Sequence, residues 1–280
     1  MSSFSFGGQV RANGIRQHYL HFPSTGPRIV IVPGIVSPAV LWSHVGEWLA
    51  QRFDCYVLDV RGRGLSESGV DLAYSFDACA QDVSAFVNAM ALGPVLLIGH
   101  SMGARIGLRA ATLAPKLFNS LVLVDPPTSG PGRRPYPIPM ERTLGLLEAA
   151  KRGEGLEALR ASPAAAWPDE LQRLRNEWLP TCDERAVRVA YEEFHGTDMF
   201  SDFARTRVPV SMIYAPDGGV VSAADAKEFR ELRADVDVVP IAGVGHQMQA
   251  EDFGAFSKVL DQVLRRHFQN FEGAGVEVRR

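Results

Sequence analysis

The stretch VLLIGHSMG, residues 95–103, carries the strongest fold signal in this sequence. Its first four residues form a short apolar run, which is typical of a strand buried on both faces of a parallel sheet. Residues 99–103 match Gly-x-Ser-x-Gly, and a helical pattern over 102–114 follows until Pro115 ends it. A serine held between a buried strand and a helix in this motif lies on a sharp turn with its hydroxyl exposed. We therefore predict that Ser101 is a nucleophile.

The two glycines of this motif are required by sterics. A side chain at Gly99 or Gly103 would collide with the neighbouring strand or helix, since the serine between them occupies a strained turn. The pentapeptide alone occurs by chance in many proteins, so its position between a strand and a helix gives it its weight.

Apolar runs alternate with helical patterns on both sides of this turn. The pair Asn13-Gly14 separates two alternating segments and predicts a hairpin, so the chain opens with two antiparallel strands. Further strands are predicted at residues 29–32, 55–58, 95–98, 121–124, 210–214 and 236–239. Helices are predicted at residues 39–51, 77–91 with Asp77 as N-cap, 102–114, 223–233 and 253–267. The alternation predicts an α/β fold with a mostly parallel, doubly wound sheet.

The alternation stops between Pro126 and Val208. A loop rich in proline and glycine occupies residues 126–135, and helix-favouring segments with several aromatic residues follow. This pattern predicts a helical cap inserted into the sheet domain. The predicted division is residues 1–125, the first part of the core; 126–207, the cap; 208–270, the second part of the core; and 271–280, a frayed tail.

Composition excludes several function classes. Hydrophobic residues make up 46% and charged residues 22%, and 29 basic against 32 acidic side chains give a formal charge of -3, which does not favour nucleic acid as a partner. No apolar stretch is long enough for a membrane helix, and residues 1–7 lack the features of a signal peptide, so we expect a cytoplasmic protein without a membrane partner. Three cysteines without CxxC spacing predict reduced, structural thiols and no metal site, namely Cys55, Cys79 and Cys182.

A serine hydroxyl needs a histidine base, which in turn is oriented by a carboxylate. His246 follows the last predicted strand in the glycine-containing stretch 243–246, and we predict that it is the base. Two aspartates end strands after the serine, Asp125 and Asp217, and both are candidates for the acid. Each also has a structural interpretation, a cap at the start of the insertion for Asp125 and an Asp-Gly turn for Asp217. Spacing does not choose between them.

The oxyanion of an acyl-transfer reaction needs preorganised N–H donors. One is expected from Met102, the residue after the nucleophile. The second is expected from the loop after the third strand, where Gly34 allows close approach of the backbone and Ile35 is the predicted donor.

Two arginine-containing loops could bind a substrate carboxylate by paired hydrogen bonds. In residues 59–66 we favour a structural role, with Asp59 pairing internally with an arginine. Arg133, Arg134 and Tyr136 lie at the start of the insertion, where we expect a solvated basic rim.

Four segments together resemble the N-formylmaleamate deformylases of bacterial nicotinate degradation, which belong to the α/β-hydrolase superfamily. They are residues 12–20, 56–66, 99–105 and 121–127. The more specific features are Asp125-Pro126-Pro127, the following stretch 129–134, and residues 177–182. The likeness spans nearly the whole chain.

The resemblance implies an enzyme that cleaves N-formylmaleamate to maleamate and formate without a metal or other cofactor. It also implies that Asp125 is the triad acid, while Asp217, just before Gly218-Gly219, departs from the family pattern and remains the alternative. The expected partner is a small acidic amide or ester substrate, and no oligomeric state is predicted.

Other interpretations use the same residues. A carboxylesterase or a carbon–carbon bond hydrolase of this fold would share every catalytic residue, and a ligand-binding receptor would keep the triad but have negligible turnover. Halide or epoxide chemistry expects an aspartate nucleophile, which Ser101 argues against.

Overall fold

The computed structural model describes residues 6–273, with side chains for residues 6–268. One sheet contains all eight strands in the order β1-β2-β4-β3-β5-β6-β7-β8. The strands are β1 (Phe6–Ala12), β2 (Ile15–Phe22), β3 (Arg28–Val32), β4 (Asp54–Leu58), β5 (Val95–His100), β6 (Phe118–Val124), β7 (Val210–Tyr214) and β8 (Asp237–Pro240). β2 pairs antiparallel with β1 and β4, and every other pairing is parallel. The predicted α/β class and mostly parallel sheet are confirmed.

The predicted hairpin joins β1 to β2. Asn13 and Gly14 form a two-residue loop, and both have positive φ, 49° and 76°. Positive φ at both central positions defines the turn that matches the twist of antiparallel strands.

The helices are α1 (Ser43–Leu49), α2 (Phe76–Ala89), α3 (Met102–Leu113), α4 (Met140–Lys151), α5 (Gly155–Arg160), α6 (Asp169–Trp178), α7 (Glu184–Gly196), α8 (Met199–Arg205), α9 (Ala223–Leu232), α10 (Met248–Glu251) and α11 (Phe253–Gly273). The prediction that Asp77 caps α2 is wrong. Ser75 is the N-cap, and its side chain accepts from the Ala78 N–H at 3.3 Å, because the helix begins one residue earlier than expected. The predicted helix 39–51 is a 3-10 turn over residues 39–42 followed by α1.

Helix α11 continues to Gly273, so the frayed tail predicted from residue 271 is helical in its first three residues. The rest of that tail and the start of the chain, residues 274–280 and 1–5, lie outside the described residues. No helix in the described part of the chain, residues 6–273, is long and apolar enough to cross a membrane.

The sheet has a hydrophobic core on each face. Alternate residues of β3 show this division, since Val30 and Val32 pack in one core while Ile29 and Ile31 pack in the other. The first core also receives α2, α3 and α9, and the second receives α1 and α11. Burial on both faces explains why the parallel strands are continuous apolar runs.

Five helices, α4 to α8, lie in the chain between β6 and β7. These helices lie within residues 126–207, which we call the helical insertion. We propose that it acts as the predicted cap, because its side chains share a cavity with residues at the carboxyl ends of the strands.

Candidate active site

Ser101 lies on a strained turn between β5 and α3. Its φ and ψ are 52° and -120°, which a residue with a side chain rarely adopts. A Cβ atom at Gly99 would lie 2.4 Å from the Gly103 carbonyl oxygen, and one at Gly103 would lie 1.9 Å from the Val32 carbonyl oxygen. The helix therefore excludes a side chain at the first glycine, and β3 excludes one at the second. The steric reason predicted for the motif is confirmed.

His246 connects the serine to an aspartate. Its Nε2 lies 2.9 Å from Ser101 Oγ, and its Nδ1 lies 2.6 Å from Asp125 Oδ2. Because the carboxylate accepts a hydrogen bond from Nδ1–H, Nε2 is free to accept from the serine hydroxyl. Both ring nitrogens are thus engaged in the orientation that general-base catalysis requires.

Asp125 is held from several sides at the end of β6. It is fully buried and its φ is 44°, while its backbone N–H donates to the Ile213 carbonyl at 2.8 Å. Its Oδ2 also accepts from the Val220 N–H at 2.9 Å. A Cβ atom at Gly219 would lie 2.6 Å from both carboxylate oxygens, so this glycine leaves room for the acid.

Asp217 occupies a different environment. It is exposed in the turn after β7. Since both ring nitrogens of His246 already contact Ser101 and Asp125, the geometry favours Asp125 over Asp217 as the acid.

The loop that carries His246 is clamped by groups that the sequence did not reveal. The Glu251 carboxylate accepts from the backbone N–H groups of Gly245 and Gln247, which flank the histidine. His100 Nε2–H donates to the His246 carbonyl at 2.9 Å. Burial, followed by repulsion from His246, lowers the pKa of His100 to about 3, so this imidazole is neutral at neutral pH.

The two predicted oxyanion donors lie next to the serine. Ile35 lines the cavity that contains Ser101, and Met102 begins α3, where a helical N–H has no acceptor within its own helix. Arg63 contacts both residues. Its Nε donates to the Ile35 carbonyl at 3.0 Å, and its Nη2 lies 3.5 Å from Met102 Sδ. The structure thus brings both predicted donors to the same end of the sheet.

The prediction that Asp59 pairs with an arginine is wrong. Asp59 Oδ2 lies 2.7 Å from His18 Nδ1, and Oδ1 accepts from the Ala39 N–H at 2.6 Å. Arg61 instead forms two hydrogen bonds of 2.6 Å with Asp82 on α2. The charged side chains of this loop have structural roles as expected, but Asp59 and Arg61 contact residues of other elements instead of each other.

The start of the insertion is only in part the solvated basic rim that was predicted, because Arg134 is exposed but pairs with an acid and Tyr136 is buried. Arg133 forms a paired contact with Glu228 at 2.6 and 2.8 Å, and Arg134 lies 3.0 Å from Asp225. Tyr136 is buried and lines the cavity beside Ser101. Burial raises the pKa of its hydroxyl, so Tyr136 stays protonated near neutral pH.

A cavity of about 680 Å³ contains Ser101 and His246. The sheet domain supplies these two residues, and the insertion supplies Tyr136, Trp167 and Arg175. Arg175 and the exposed Arg142 are cavity residues that the sequence analysis missed, because the helical pattern did not indicate which helix faces the site. A cavity of this volume is typical of small-molecule sites.

The three cysteines are free and buried, as predicted. In residues 6–268, no group of three or more histidine, cysteine or acidic side chains could hold a metal ion.

The fold and this site define a class, and residues 27–253 match the protein family of the alpha/beta hydrolase fold. The chain belongs to the α/β hydrolase family. It is 46% identical to an N-formylmaleamate deformylase of Pseudomonas putida, over 94% of this chain and 100% of that protein. The crystal structure of an N-formylmaleamic acid deformylase from Pseudomonas putida S16 is 42% identical, with a TM-score of 0.87, and the match covers 91% of this chain and all of that one.

A more distant relative is a 2-(acetamidomethylene)succinate hydrolase of Mesorhizobium japonicum. It is 27% identical over 79% of this chain and 82% of that protein. The identity to the deformylases, which spans nearly the full length, confirms the predicted resemblance.

Proposed function

We propose that this chain is a serine hydrolase that removes the formyl group from N-formylmaleamate, giving maleamate and formate. The carrying observation is the contact of His246 with both Ser101 Oγ and Asp125 Oδ2, in the wall of a cavity large enough for this substrate. The identity to N-formylmaleamate deformylases supports the choice of substrate.

In the first half of the reaction, Ser101 Oγ attacks the formyl carbon while His246 Nε2 takes the hydroxyl proton. Asp125 orients the imidazole and stabilises its positive charge. The developing oxyanion accepts hydrogen bonds from the N–H groups of Ile35 and Met102. As the carbon–nitrogen bond breaks, His246 returns the proton to the leaving amide nitrogen, so maleamate departs and a formyl ester remains on the serine.

In the second half, His246 takes a proton from a water molecule that attacks the formyl ester. The second tetrahedral intermediate uses the same two N–H donors. Its collapse breaks the ester bond, returns the proton to Ser101 Oγ and releases formate. The mechanism uses only protein groups and water.

The direct test is to incubate the purified protein with N-formylmaleamate and measure formate release. The matched control is Ser101→Ala, which keeps the fold and removes the nucleophile. We expect rapid release by the wild-type protein and loss of release in the variant.

A panel of simple esters separates the alternatives. Brisk ester hydrolysis without formate release would indicate a carboxylesterase and contradict the proposed substrate. One bound acyl group with almost no turnover would indicate a ligand-binding receptor.

A further inference from the structure

Arg175 is a buried cation in the wall of the cavity, and its side chain forms no hydrogen bond or ion pair within residues 6–268. It lies on α6 and is only 9% exposed. Its Nε atom is sealed from solvent without a hydrogen-bond partner, and none of its nitrogens forms an ion pair with a side chain in residues 6–268. The same side chain lines the cavity that contains Ser101 and His246.

Two other buried arginines, Arg63 and Arg105, each donate several hydrogen bonds. Arg63 donates to the carbonyl oxygens of Ile35, Arg61 and Ala186 at 2.9–3.0 Å. Arg105 donates to at least three carbonyl oxygens, including that of Thr197 at 2.6 Å. A buried charge without such partners is costly, so proteins keep one where a ligand supplies the missing partner.

Arg175 is held in place although it lacks a polar partner. Its guanidinium carbon lies 4.9 Å from the centre of the Trp167 ring. The Trp167 carbonyl accepts from Gln172 Nε2 at 2.8 Å, so the backbone of Trp167 is tied to the same helix. Burial lowers the pKa of Arg175 to about 10, which leaves it charged at neutral pH. Its charge also opposes protonation of His100, which contacts the His246 loop.

We propose that Arg175 binds the carboxylate of the substrate and selects acyl amides that carry a negative charge. The proposal rests on the proposed function, because N-formylmaleamate carries one carboxylate. A guanidinium fork and a carboxylate match in a pair of hydrogen bonds. Glu251, the acidic side chain in the same wall, forms no ion pair with Arg175 in the described part of the chain, and its two oxygens accept from Gly245 and Gln247.

The test compares Arg175→Met with Arg142→Met, because Arg142 lines the same cavity but is exposed. Two substrates are used, N-formylmaleamate and its methyl ester, which differ by the negative charge and one methyl group. We expect Arg175→Met to lower kcat/KM for the charged substrate about 100-fold, mostly through KM, as for loss of hydrogen bonds to a charged group. We expect a change within about threefold for the methyl ester, and Arg175→Lys should recover part of the loss. Arg142→Met should cause a much smaller charge-specific loss than Arg175→Met, and Arg173→Met, at an exposed position of α6 outside the cavity lining, should change both values less than about threefold.

Thermal unfolding separates binding from a structural role. Because the Arg175 side chain has no hydrogen bond or ion pair to lose within residues 6–268, we expect the Tm of Arg175→Met to equal or exceed that of the wild-type protein. A lower Tm together with equal losses for the charged and neutral substrates would overturn the proposal, as would an equal charge-specific loss in Arg142→Met.

A second substrate pair keeps this test independent of the deformylase assignment. If the wild-type protein releases no formate, the same variants are measured with 4-nitrophenyl hydrogen glutarate and 4-nitrophenyl pentanoate. A wild-type preference for the charged ester that disappears in Arg175→Met supports the carboxylate site even though the proposed substrate is wrong. No preference in the wild-type protein overturns the site.

Discussion

Two buried histidine–aspartate pairs within residues 6–268 have nearly the same Nδ1–Oδ2 distance. Around the active site, His246 Nδ1 lies 2.6 Å from Asp125 Oδ2, and at the base of the loop 59–66, His18 Nδ1 lies 2.7 Å from Asp59 Oδ2. His246 has Ser101 Oγ on its other nitrogen and a cavity in front of it, whereas Asp59 also accepts from backbone N–H groups of two loops. A buried histidine–aspartate pair is therefore not sufficient for reactivity. We attribute the reactivity of the first pair to the strained Ser101 beside His246.

Among the variants that test this comparison, Ser101→Ala should have the largest effect on activity. Removing the nucleophile should lower kcat for formate release by about 10⁵–10⁶-fold, as in other serine hydrolases. Steady-state kinetics and circular dichroism check the loss and the fold. Residual activity above one part in a thousand would place the nucleophile elsewhere.

The second largest effect on activity is expected from a comparison of the Asp125 and Asp217 carboxylates. Asp125→Asn should lower kcat about 10⁴-fold, since an asparagine stabilises the wrong tautomer of His246. Asp217→Asn is the matched control and should stay within about twofold, because Asp217 is exposed. If only the Asp217 variant lost activity while both stayed folded, the assignment of the acid would be wrong.

A smaller effect is expected at the loop that carries His246. Glu251→Gln keeps one acceptor but loses the charge that holds Gly245 and Gln247. We expect kcat to fall about 10-fold with little change in KM, since the side chain acts through the histidine position. A change confined to KM would show that Glu251 contacts the substrate instead.

The second pair should respond in stability rather than in rate. Asp59→Asn weakens the hydrogen bonds to His18 and Leu65, so we expect the free energy of unfolding to fall by about 1–3 kcal/mol. Denaturant unfolding measures this loss, and kcat of the folded variant should stay within about threefold. A 10⁴-fold loss of kcat in Asp59→Asn would contradict the purely structural role that we assign to the His18–Asp59 pair.

The smallest effect concerns His267, a buried histidine whose partner is the Ser211 hydroxyl at 2.9 Å rather than a carboxylate. Burial lowers its pKa to about 4, below the value near 6.5 of an unfolded chain. Its contribution to stability is complete above pH 6.5 and is lost as the pH falls towards 4, because the unfolded chain then binds the proton first. His267→Gln should therefore flatten the fall in stability between these pH values, and an unchanged slope would contradict this.

Local signals allowed much of the fold to be predicted. The turn at Ser101, the hairpin and the parallel strands depend on short apolar runs and on the conformational freedom of glycine, and both are visible in neighbouring residues of the sequence. The same signals placed Ser101 and His246 at the end of strands that meet at one edge of the sheet. The order of the strands in space followed only from the structure.

Long-range partners could not be predicted in the same way. Asp125 and Asp217 both follow strands, and the choice between them depends on the distance to a histidine more than 100 residues away from Asp125. The partner of Asp59 lies 41 residues earlier in the chain. Arg175 gave no signal because a charged residue on an amphipathic helix usually faces solvent.

The shared cavity has a consequence for how this protein can change. Its reactive groups stand on the sheet, whereas the charge that we propose selects the substrate stands on α6 of the insertion. Mutations in the insertion can therefore change which substrates bind while the catalytic residues stay the same. Removal of the charge on that one helix should therefore weaken the preference for an acidic substrate and leave the reaction itself unchanged.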